Sequence, residues 1–163
     1  MINKIQSPVF LVSKATRADL VDITSLSNQL MAYDKQHDAT LATNWLKKSC
    51  GKNFLREHFS KKQQAAFVVK HNARVVAYLL GAIVPAECYR MVKKIAEIEE
   101  LFVMDEFRGQ KLGEKLMQAF IDWAKKQAKV PRISVRISAA NHGAIKFYQR
   151  CGFKEYDLVL EME

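Results

Sequence analysis

A strand pattern that passes through a glycine-containing turn into a long amphipathic helix occupies residues 95–129. Ile95–Val103 has the composition of a strand, and Met104–Gln110 has that of a turn. Apolar residues then recur at helical spacing and predict a helix over 111–129 with one buried face: Leu112, Leu116, Phe120 and Trp123. A strand joined to a helix in this way is typical of a sheet that helices cover.

The rest of the chain carries the same two kinds of pattern. Strands are predicted at 9–12, 66–69, 75–80, 133–137 and 153–162, and helices from 16 to 34–38 and at 41–48, 53–59 and 141–151. The element order β-α-α-β-β-β-α-β-α-β predicts a mixed α/β fold with helices on both faces of the sheet. We expect a single domain over 1–163, with a central mixed sheet of six to seven strands.

The composition is that of one globular domain. The chain has 163 residues, of which 49% are hydrophobic and 26% charged, so wholesale disorder is excluded. No run of about 18 or more apolar residues predicts a transmembrane helix, and the first residues lack the apolar core of a signal peptide. Cys50, Cys88 and Cys151 are widely spaced and favour neither a disulfide framework nor a metal site. We therefore expect a cytoplasmic protein without a metal and without membrane attachment.

The net charge of +9 by itself suggests an anionic partner such as nucleic acid. The basic residues are dispersed, however, without interleaved aromatic residues or a known reading motif, so nucleic-acid binding is not favoured. Residues 95–107 contain acids and no base: Glu97, Glu99, Glu100, Asp105 and Glu106. This acidic stretch favours a cationic ligand beside the strand.

Residues 108–114, Arg-Gly-Gln-Lys-Leu-Gly-Glu, lie where the strand turns into the helix. The first backbone N–H groups of a helix have no partner within it and attract anions together with the helix dipole. Gly109 and Gly113 let a ligand approach the backbone, and Arg108 and Lys111 add positive charge. The segment predicts a phosphate or pyrophosphate site, although an ordinary strand-to-helix turn can carry the same glycines. It matches neither the Walker loop nor the dinucleotide-binding fingerprint.

A second informative segment runs from Asn141 to Phe153. Asn141 is a favourable N-cap after a strand. Tyr148 follows about two helical turns later and lies on the same helical face. A positioned phenol can protonate a leaving group at neutral pH, although a partly buried aromatic residue is the alternative interpretation.

The two segments resemble the signatures of the GNAT superfamily of acyl-CoA-dependent N-acetyltransferases. Residues 108–113 are similar to the family's Arg/Gln-x-x-Gly-x-Gly/Ala motif, and Asn141 with 144–148 and 152–153 is similar to its C-terminal motif. The resemblance is strong over 95–153 and extends to the whole chain through the element order. It implies acetyl-CoA as cosubstrate and direct acetyl transfer to an amine. It also implies two parallel strands, 98–103 and 133–137, that splay apart to admit the pantetheine arm.

The resemblance also implies roles for individual residues. Asn141 would bond the pantetheine region, and Tyr148 would protonate the departing thiolate. The pantetheine amides would pair with the main chain of Leu101, Phe102 and Val103. The pyrophosphate would be held by backbone N–H groups of the loop: Arg108, Gly109, Gln110, Lys111, Gly113 and Glu114. Lys111 stands where the family usually has a glycine, and we expect a helical φ there that tolerates a side chain.

An amine acceptor is almost wholly protonated at pH 7 and needs a base. By the same resemblance Glu99 is the base and Glu100 an acid that binds the amine. Strand alternation sends these two side chains to opposite faces unless a bulge intervenes, and both could instead be solvated edge charges. Tyr33 and Asp34, at the end of the first helix, would line the pocket that binds the acceptor amine. His58, His71 and His142 have no partners at metal-ligand spacing and are given no role.

We therefore predict an acetyl-CoA-dependent N-acetyltransferase. Its acceptor would be a primary amine of a small molecule, polyamine-like or an aminoglycoside, or of a protein. The alternatives are a non-catalytic acyl-CoA-binding regulator on the same fold and, less favoured, a basic nucleic-acid-binding protein. Dimers are common among the proteins that the chain resembles, so a homodimer is also considered.

Overall fold

The computed structural model describes residues 10–128 and 130–162. The strands are β1 (Val12–Lys14), β2 (Gln64–His71), β3 (Arg74–Pro85), β4 (Lys94–Val103) and β5 (Ile133–Val135). The helices are α1 (Leu20–Asp34), α2 (Ser49–His58), α3 (Leu112–Ala128) and α4 (His142–Arg150). The five strands form one sheet in the order β1-β2-β3-β4-β5. All neighbours are antiparallel except β4 and β5, which are parallel.

The mixed α/β fold is confirmed, and most elements lie where the patterns placed them. Asp19 accepts hydrogen bonds from the N–H of Thr16 at 2.8 Å and from its hydroxyl at 3.0 Å, which fixes the start of the first helical region. The first strand begins later than predicted, at Val12. Val9 and Lys129, at the ends of two predicted elements, lie outside the described residues.

Two predictions of secondary structure were wrong. The helix expected at 41–48 is only a short 3-10 turn, Trp45–Lys47, and α2 begins directly after it at Ser49. Gly51 permits this corner, because a Cβ there would lie 2.4 Å from the Trp45 carbonyl oxygen. The strand expected at 153–162 is not formed, so the sheet has five strands among the described residues instead of six to seven.

The sheet separates two hydrophobic layers. α3 packs on one face through Leu112, Leu116 and Phe120, each at most 1% exposed. α1 and α2 cover the other face, where Ile23, Leu26 and Leu55 meet strand residues such as Val68 and Tyr78. Each face of the central strands is therefore buried, which explains their nearly continuous apolar sequence. Among the described residues, no helix is both long and apolar enough to cross a membrane.

A bulge interrupts β4 where it pairs with β3. Leu80 lies opposite Glu100 and Gly81 lies opposite Ile98, so Glu99 is the extra residue. Ile98 packs in the α3 layer, whereas both Glu99 and Glu100 contact residues of the α1 and α2 layer. The bulge therefore places two consecutive carboxylates on the same face of the sheet.

β4 and β5 remain paired over only a short stretch. Ala96, Glu97 and Ile98 pair with residues 133–135, and the pairing stops there. From Glu99 to Val103, the β5-facing edge of β4 has no strand partner in the described part of the chain. The sheet opens at this point, beside the N-terminus of α3.

Candidate active site

The loop before α3 presents a row of backbone donors. None of the N–H groups of residues 109–114 donates to an acceptor within the described residues, whereas the Lys115 N–H donates to the Lys111 carbonyl at 3.1 Å. Six consecutive donors at a helix start, beside the open edge of β4, form a candidate anion site. The donors of Gly109, Gln110, Lys111, Gly113 and Glu114, all predicted from the sequence, belong to this row.

Arg108 lies at the edge of this row and does not belong to it. Its backbone N–H donates to the Asp105 carbonyl oxygen at 3.2 Å. Its guanidinium donates to the Val103 carbonyl at 3.2 Å and lies 2.8 Å from the Asp105 carboxylate. The side chain therefore folds over the end of β4 and stands near the anion site as a positive charge.

Lys111 adopts a left-handed conformation, with φ of 59°. The expectation of a helical φ at this position was wrong. The left-handed turn comes directly before α3, which begins at Leu112, and a lysine Cβ is strained in that region of backbone conformation. Lys111 therefore has the backbone conformation typical of a glycine, the residue that the family usually has at this position.

We expect the Lys111→Gly variant to raise the free energy of unfolding by about 1 kcal/mol, because glycine adopts a positive φ without the Cβ clash. Urea unfolding followed by circular dichroism measures the change. Lys111→Ala is the matched control, since it removes the ammonium but keeps the Cβ, and it should gain nothing. A glycine variant no more stable than the alanine variant would contradict strain at this residue.

Asn141 connects the start of α4 to the end of α1. Its Oδ1 accepts a hydrogen bond from the Ala144 N–H at 3.0 Å, as expected of an N-cap. Its Nδ2 donates to Asp34 Oδ1 at 3.4 Å, and the residue is only 6% exposed. Burial raises the pKa of the Asp34 carboxyl. Asp34 and Asn141, predicted for the acceptor and cofactor sides respectively, are thus in contact.

Tyr148 is buried, 8% exposed, between the rings of Phe147 and Phe153. Its hydroxyl makes no hydrogen bond to a described residue. Burial raises the pKa of this phenol well above its usual value, with the nearby Cys151 and Asp34 adding to the shift. The group therefore remains protonated at neutral pH and can serve as a proton donor.

Glu100 lies inside the protein. It is 5% exposed and accepts hydrogen bonds from the Tyr78 hydroxyl at 2.7 Å and the Ser27 hydroxyl at 3.0 Å. Burial raises the pKa of its carboxyl, and the two hydrogen bonds oppose that shift. At 5% exposure, Glu100 is not open to direct contact by an amine from solvent.

Glu99 lies closer to the surface, and its side chain is 26% exposed. One of its oxygens, Oε2, lies 2.8 Å from Nε2 of His58, whose side chain is fully buried. No local pattern indicated this contact, because 41 residues separate the two partners in sequence. His58 is the functional candidate that the sequence reasoning missed.

A cavity of about 250 Å³ lies on the α1 side of the end of β4. It is lined by Gln29, Tyr33, Phe102, Met104, Asp105, Glu106 and Arg108. Tyr33 is 36% exposed, and the Arg108 guanidinium carbon lies 5.7 Å from the centre of its ring. Within the described ranges, no group of three or more residues is arranged to hold a metal ion.

The sheet opens between two parallel strands, beside backbone donors without a partner at the start of α3, and this arrangement is suited to an anionic ligand. The chain belongs to the acetyltransferase (GNAT) family, whose model matches residues 28–153. This family accounts for the split sheet, the donor loop and the order of the elements.

Comparison with individual proteins agrees with this assignment. An uncharacterized N-acetyltransferase of Methanocaldococcus jannaschii is 26% identical over 155 residues, which are 92% of this chain and 63% of that protein. A mutant form of the BH1408 protein of Bacillus halodurans has a TM-score of 0.80 at 20% identity, over 94% of this chain and 98% of that one. The aminoglycoside N-acetyltransferase AAC(6')-Iy in complex with CoA has a TM-score of 0.71 at 16% identity, over 94% and 98%. The two structures share the fold with this chain, which spans less than two thirds of the archaeal relative.

Proposed function

We propose that the protein transfers an acetyl group from acetyl-CoA directly to a primary amine. The observation that supports this most is the position of two carboxylates, at the bulge of β4, next to the strand edge where the sheet opens. The donor loop before α3 lies at the same opening. The site thus combines an anion cradle with acidic groups on the acceptor side.

The cofactor-binding groups fit a ligand with a pyrophosphate and an amide-containing arm. The N–H groups of 109–114 would hold the pyrophosphate, with Lys111 and Arg108 supplying positive charge. On the edge of β4 that faces β5, main-chain groups of Leu101, Phe102 and Val103 would pair with the pantetheine amides as a further strand would, and Asn141 would bond to the same arm. When bound, acetyl-CoA supplies the thioester carbonyl that the amine attacks.

Two side chains would move the protons of the reaction. Glu99 would accept a proton from the acceptor ammonium, because its carboxylate is partly exposed at the bulge. Tyr148 would donate a proton to the departing sulfur. Glu100 would stabilise the cationic acceptor from inside the protein, through its charge and not through contact, since its oxygens accept from Ser27 and Tyr78.

The acceptor is proposed to be cationic and small. Glu99, Glu100, Asp105 and Glu106 give its side of β4 an acidic character, and Tyr33 and Asp34 border the same region. A polyamine-like compound or an aminoglycoside matches these charges, and a protein amine remains the alternative. The aminoglycoside enzyme among the solved structures makes that class of acceptor a reasonable first choice.

A thiol-release assay with acetyl-CoA over a panel of polyamines, aminoglycosides and peptide amines tests the proposal. We expect turnover with at least one dicationic amine and none with neutral analogues of the same size. Binding of CoA without turnover of any amine would refute the enzyme assignment. It would favour the second candidate, a non-catalytic acyl-CoA-binding regulator.

The Tyr148→Phe variant is expected to lower kcat roughly 100-fold, because the departing thiolate then lacks a proton donor. The affinity for CoA, measured by calorimetry, should stay within about twofold, since the hydroxyl makes no hydrogen bond to a described residue. Tyr89→Phe is a matched control that removes the hydroxyl of an exposed tyrosine. A Tyr148→Phe enzyme with the native kcat would show that another group protonates the sulfur.

We propose a homodimer that uses the C-terminal segment 153–162. Its apolar side chains are exposed, with Leu158 at 78%, Leu160 at 84% and Met162 at 98%, and alternate as in a strand. Light scattering after gel filtration should give twice the mass of one chain. The Leu158→Glu, Leu160→Glu double variant should give the single mass. A native chain of single mass would refute the dimer.

Cys50, Cys88 and Cys151 are free, which supports the proposed reducing, cytoplasmic environment.

A further inference from the structure

The buried His58 faces an oxygen atom with each ring nitrogen. Nε2 lies 2.8 Å from Glu99 Oε2, and Nδ1 lies 2.9 Å from the carbonyl oxygen of Phe54, one helical turn earlier. The ring also packs on the Phe54 ring, with centroids 4.5 Å apart. These three contacts hold the imidazole in one orientation with both nitrogens engaged.

The number of protons in this arrangement follows from the donors and acceptors. A backbone carbonyl only accepts, so Nδ1 carries a hydrogen. A carboxylate also only accepts, so a further proton has to lie between Nε2 and Oε2 for their contact to be a hydrogen bond. These distances are those of a pair that shares one proton, as an imidazolium with a carboxylate or an imidazole with a carboxylic acid.

The groups around the ring are acidic, apolar or aromatic. α2 ends at His58, where the negative end of the helix dipole stabilises a cation. The charged groups that act on the ring are acidic: Glu99 and Glu100 on β4, and Glu57 on α2, which pairs with Lys61. On the face of the sheet that α2 covers, β2 and β3 present apolar groups and one phenol: Ala66, Val68, Leu80 and Tyr78. The turn before α2 adds Trp45 and Leu46.

We propose that His58 is a positioning residue that fixes the Glu99 carboxylate and shares with it the proton given up by the acceptor amine. This inference rests on the proposed function, in which Glu99 is the base. The other oxygen of Glu99, Oε1, makes no hydrogen bond to a described residue, and the side chain is 26% exposed. One oxygen is thus held by His58 while the other can face the amine.

The proton balance of the step is as follows. The resting pair first gives its shared proton to water, which leaves Glu99 able to act as a base. The acceptor enters as an ammonium and gives one proton to Glu99, and this proton then lies between Oε2 and Nε2, as in the resting pair. As the C–N bond forms and the C–S bond breaks, Tyr148 gives its proton to the sulfur and recovers one from the new amide nitrogen. The pair is then back in its resting state, and the proton given to water at the start is the one proton released for each acetyl group transferred.

The protonation of His58 can be measured without any acceptor. Two-bond ¹H–¹⁵N correlation spectra of the full chain, labelled with ¹⁵N-histidine, distinguish doubly from singly protonated rings at pH 7. The His58 signals are the ones lost in His58→Gln. We expect a doubly protonated ring in the native protein and a singly protonated ring in Glu99→Gln. Glu57→Gln, which removes a neighbouring carboxylate on the same helix, should leave the ring doubly protonated.

A singly protonated His58 in the native protein, or an unchanged ring in Glu99→Gln, would overturn the imidazolium–carboxylate form of the pair. The kinetic test is His58→Gln, which should lower kcat at least 10-fold without changing KM for acetyl-CoA, while thermal unfolding confirms that the variant is folded. A native kcat would overturn the positioning role. If His58→Gln fails to fold, the comparison of native and Glu99→Gln spectra still decides. If no amine is turned over, the proposed function fails while the spectra still report on the pair.

Discussion

Replacing Glu99 by glutamine is expected to lower kcat roughly 1000-fold at pH 7. An alkylamine with a pKa of about 10.4 is more than 99.9% protonated at that pH and cannot attack the thioester until it loses a proton. A positioned base typically contributes about 10² to 10⁴ in rate, and glutamine keeps the shape of glutamate without accepting that proton. Steady-state thiol release at saturating acetyl-CoA, with the best acceptor of the panel, measures the loss.

Glu97→Gln provides the control for this variant. Glu97 is on the same strand, two residues before Glu99 and ahead of the bulge, and pairs with Ser134 in β5. We expect its kcat to stay within about twofold of the native value. Equal losses in the two variants would mean that the total charge of β4 matters and not the position of one carboxylate. A Glu99→Gln enzyme that keeps more than about a tenth of its activity would refute Glu99 as the base.

Gly81→Ala is expected to lower the free energy of unfolding by about 3 kcal/mol, through overpacking opposite the bulge. An added Cβ would lie 2.5 Å from a ring carbon of Phe120 and 2.6 Å from the carbonyl oxygen of Glu97. Phe120 is 0% exposed and Glu97 belongs to the neighbouring strand, so neither can move away cheaply. Urea denaturation gives the change, with the m-value as a check on two-state unfolding.

Gly152→Ala separates the packing effect from backbone strain. Gly152 has a φ of 92°, and a Cβ there would have no neighbour within 4 Å. Gly152→Ala should therefore lower the free energy of unfolding by only about 1 kcal/mol, through backbone strain. If Gly81→Ala lowers the free energy of unfolding no more than Gly152→Ala does, close packing against β4 does not determine the stability of this region.

The patterns predicted the elements that have a strong local signature. The apolar stripe predicted that α3 is a helix, and the apolar runs predicted that β2 and β3 are strands, each near its observed position. This works because a buried segment shows the apolar pattern of its own secondary structure, whichever element it packs against. The loop at 108–114 was found for the same reason, since a strand, glycines and a helix follow one another directly. Such features need only local information.

The features that determine the chemistry depend on contacts between distant segments. The bulge at Glu99 follows from the close approach of Gly81 to β4, and strand alternation alone could not show that Glu99 and Glu100 share a face. His58 meets Glu99 only because α2 packs against the sheet. The left-handed Lys111 was missed since lysine gives no signal for a positive φ.

In the C-terminal segment, the local pattern predicted a strand that is not formed. Residues 153–162 carry an alternating pattern, but a strand also needs a partner to satisfy its backbone groups, and the pattern cannot say whether one is available. Arg90 and Arg132 contact Tyr156, and Arg90 also lies 3.3 Å from Asp157, at the surface of the protein. The segment is thereby attached near the start of β5 without joining the sheet.

The bulge in β4 has a consequence for how this protein can change over evolution. Residues before Glu99 are in one phase of the strand and residues after it are in the other, so a single extra residue keeps both Ile98 and Leu101 in the α3 layer. Deletion of any one residue between them would turn side chains of the α3 layer toward the α1 and α2 layer, and the reverse, along half of the strand. Homologues can therefore vary the identity of these side chains far more readily than the length of the strand. A gap at this position in a sequence alignment would mark a protein that had lost this site.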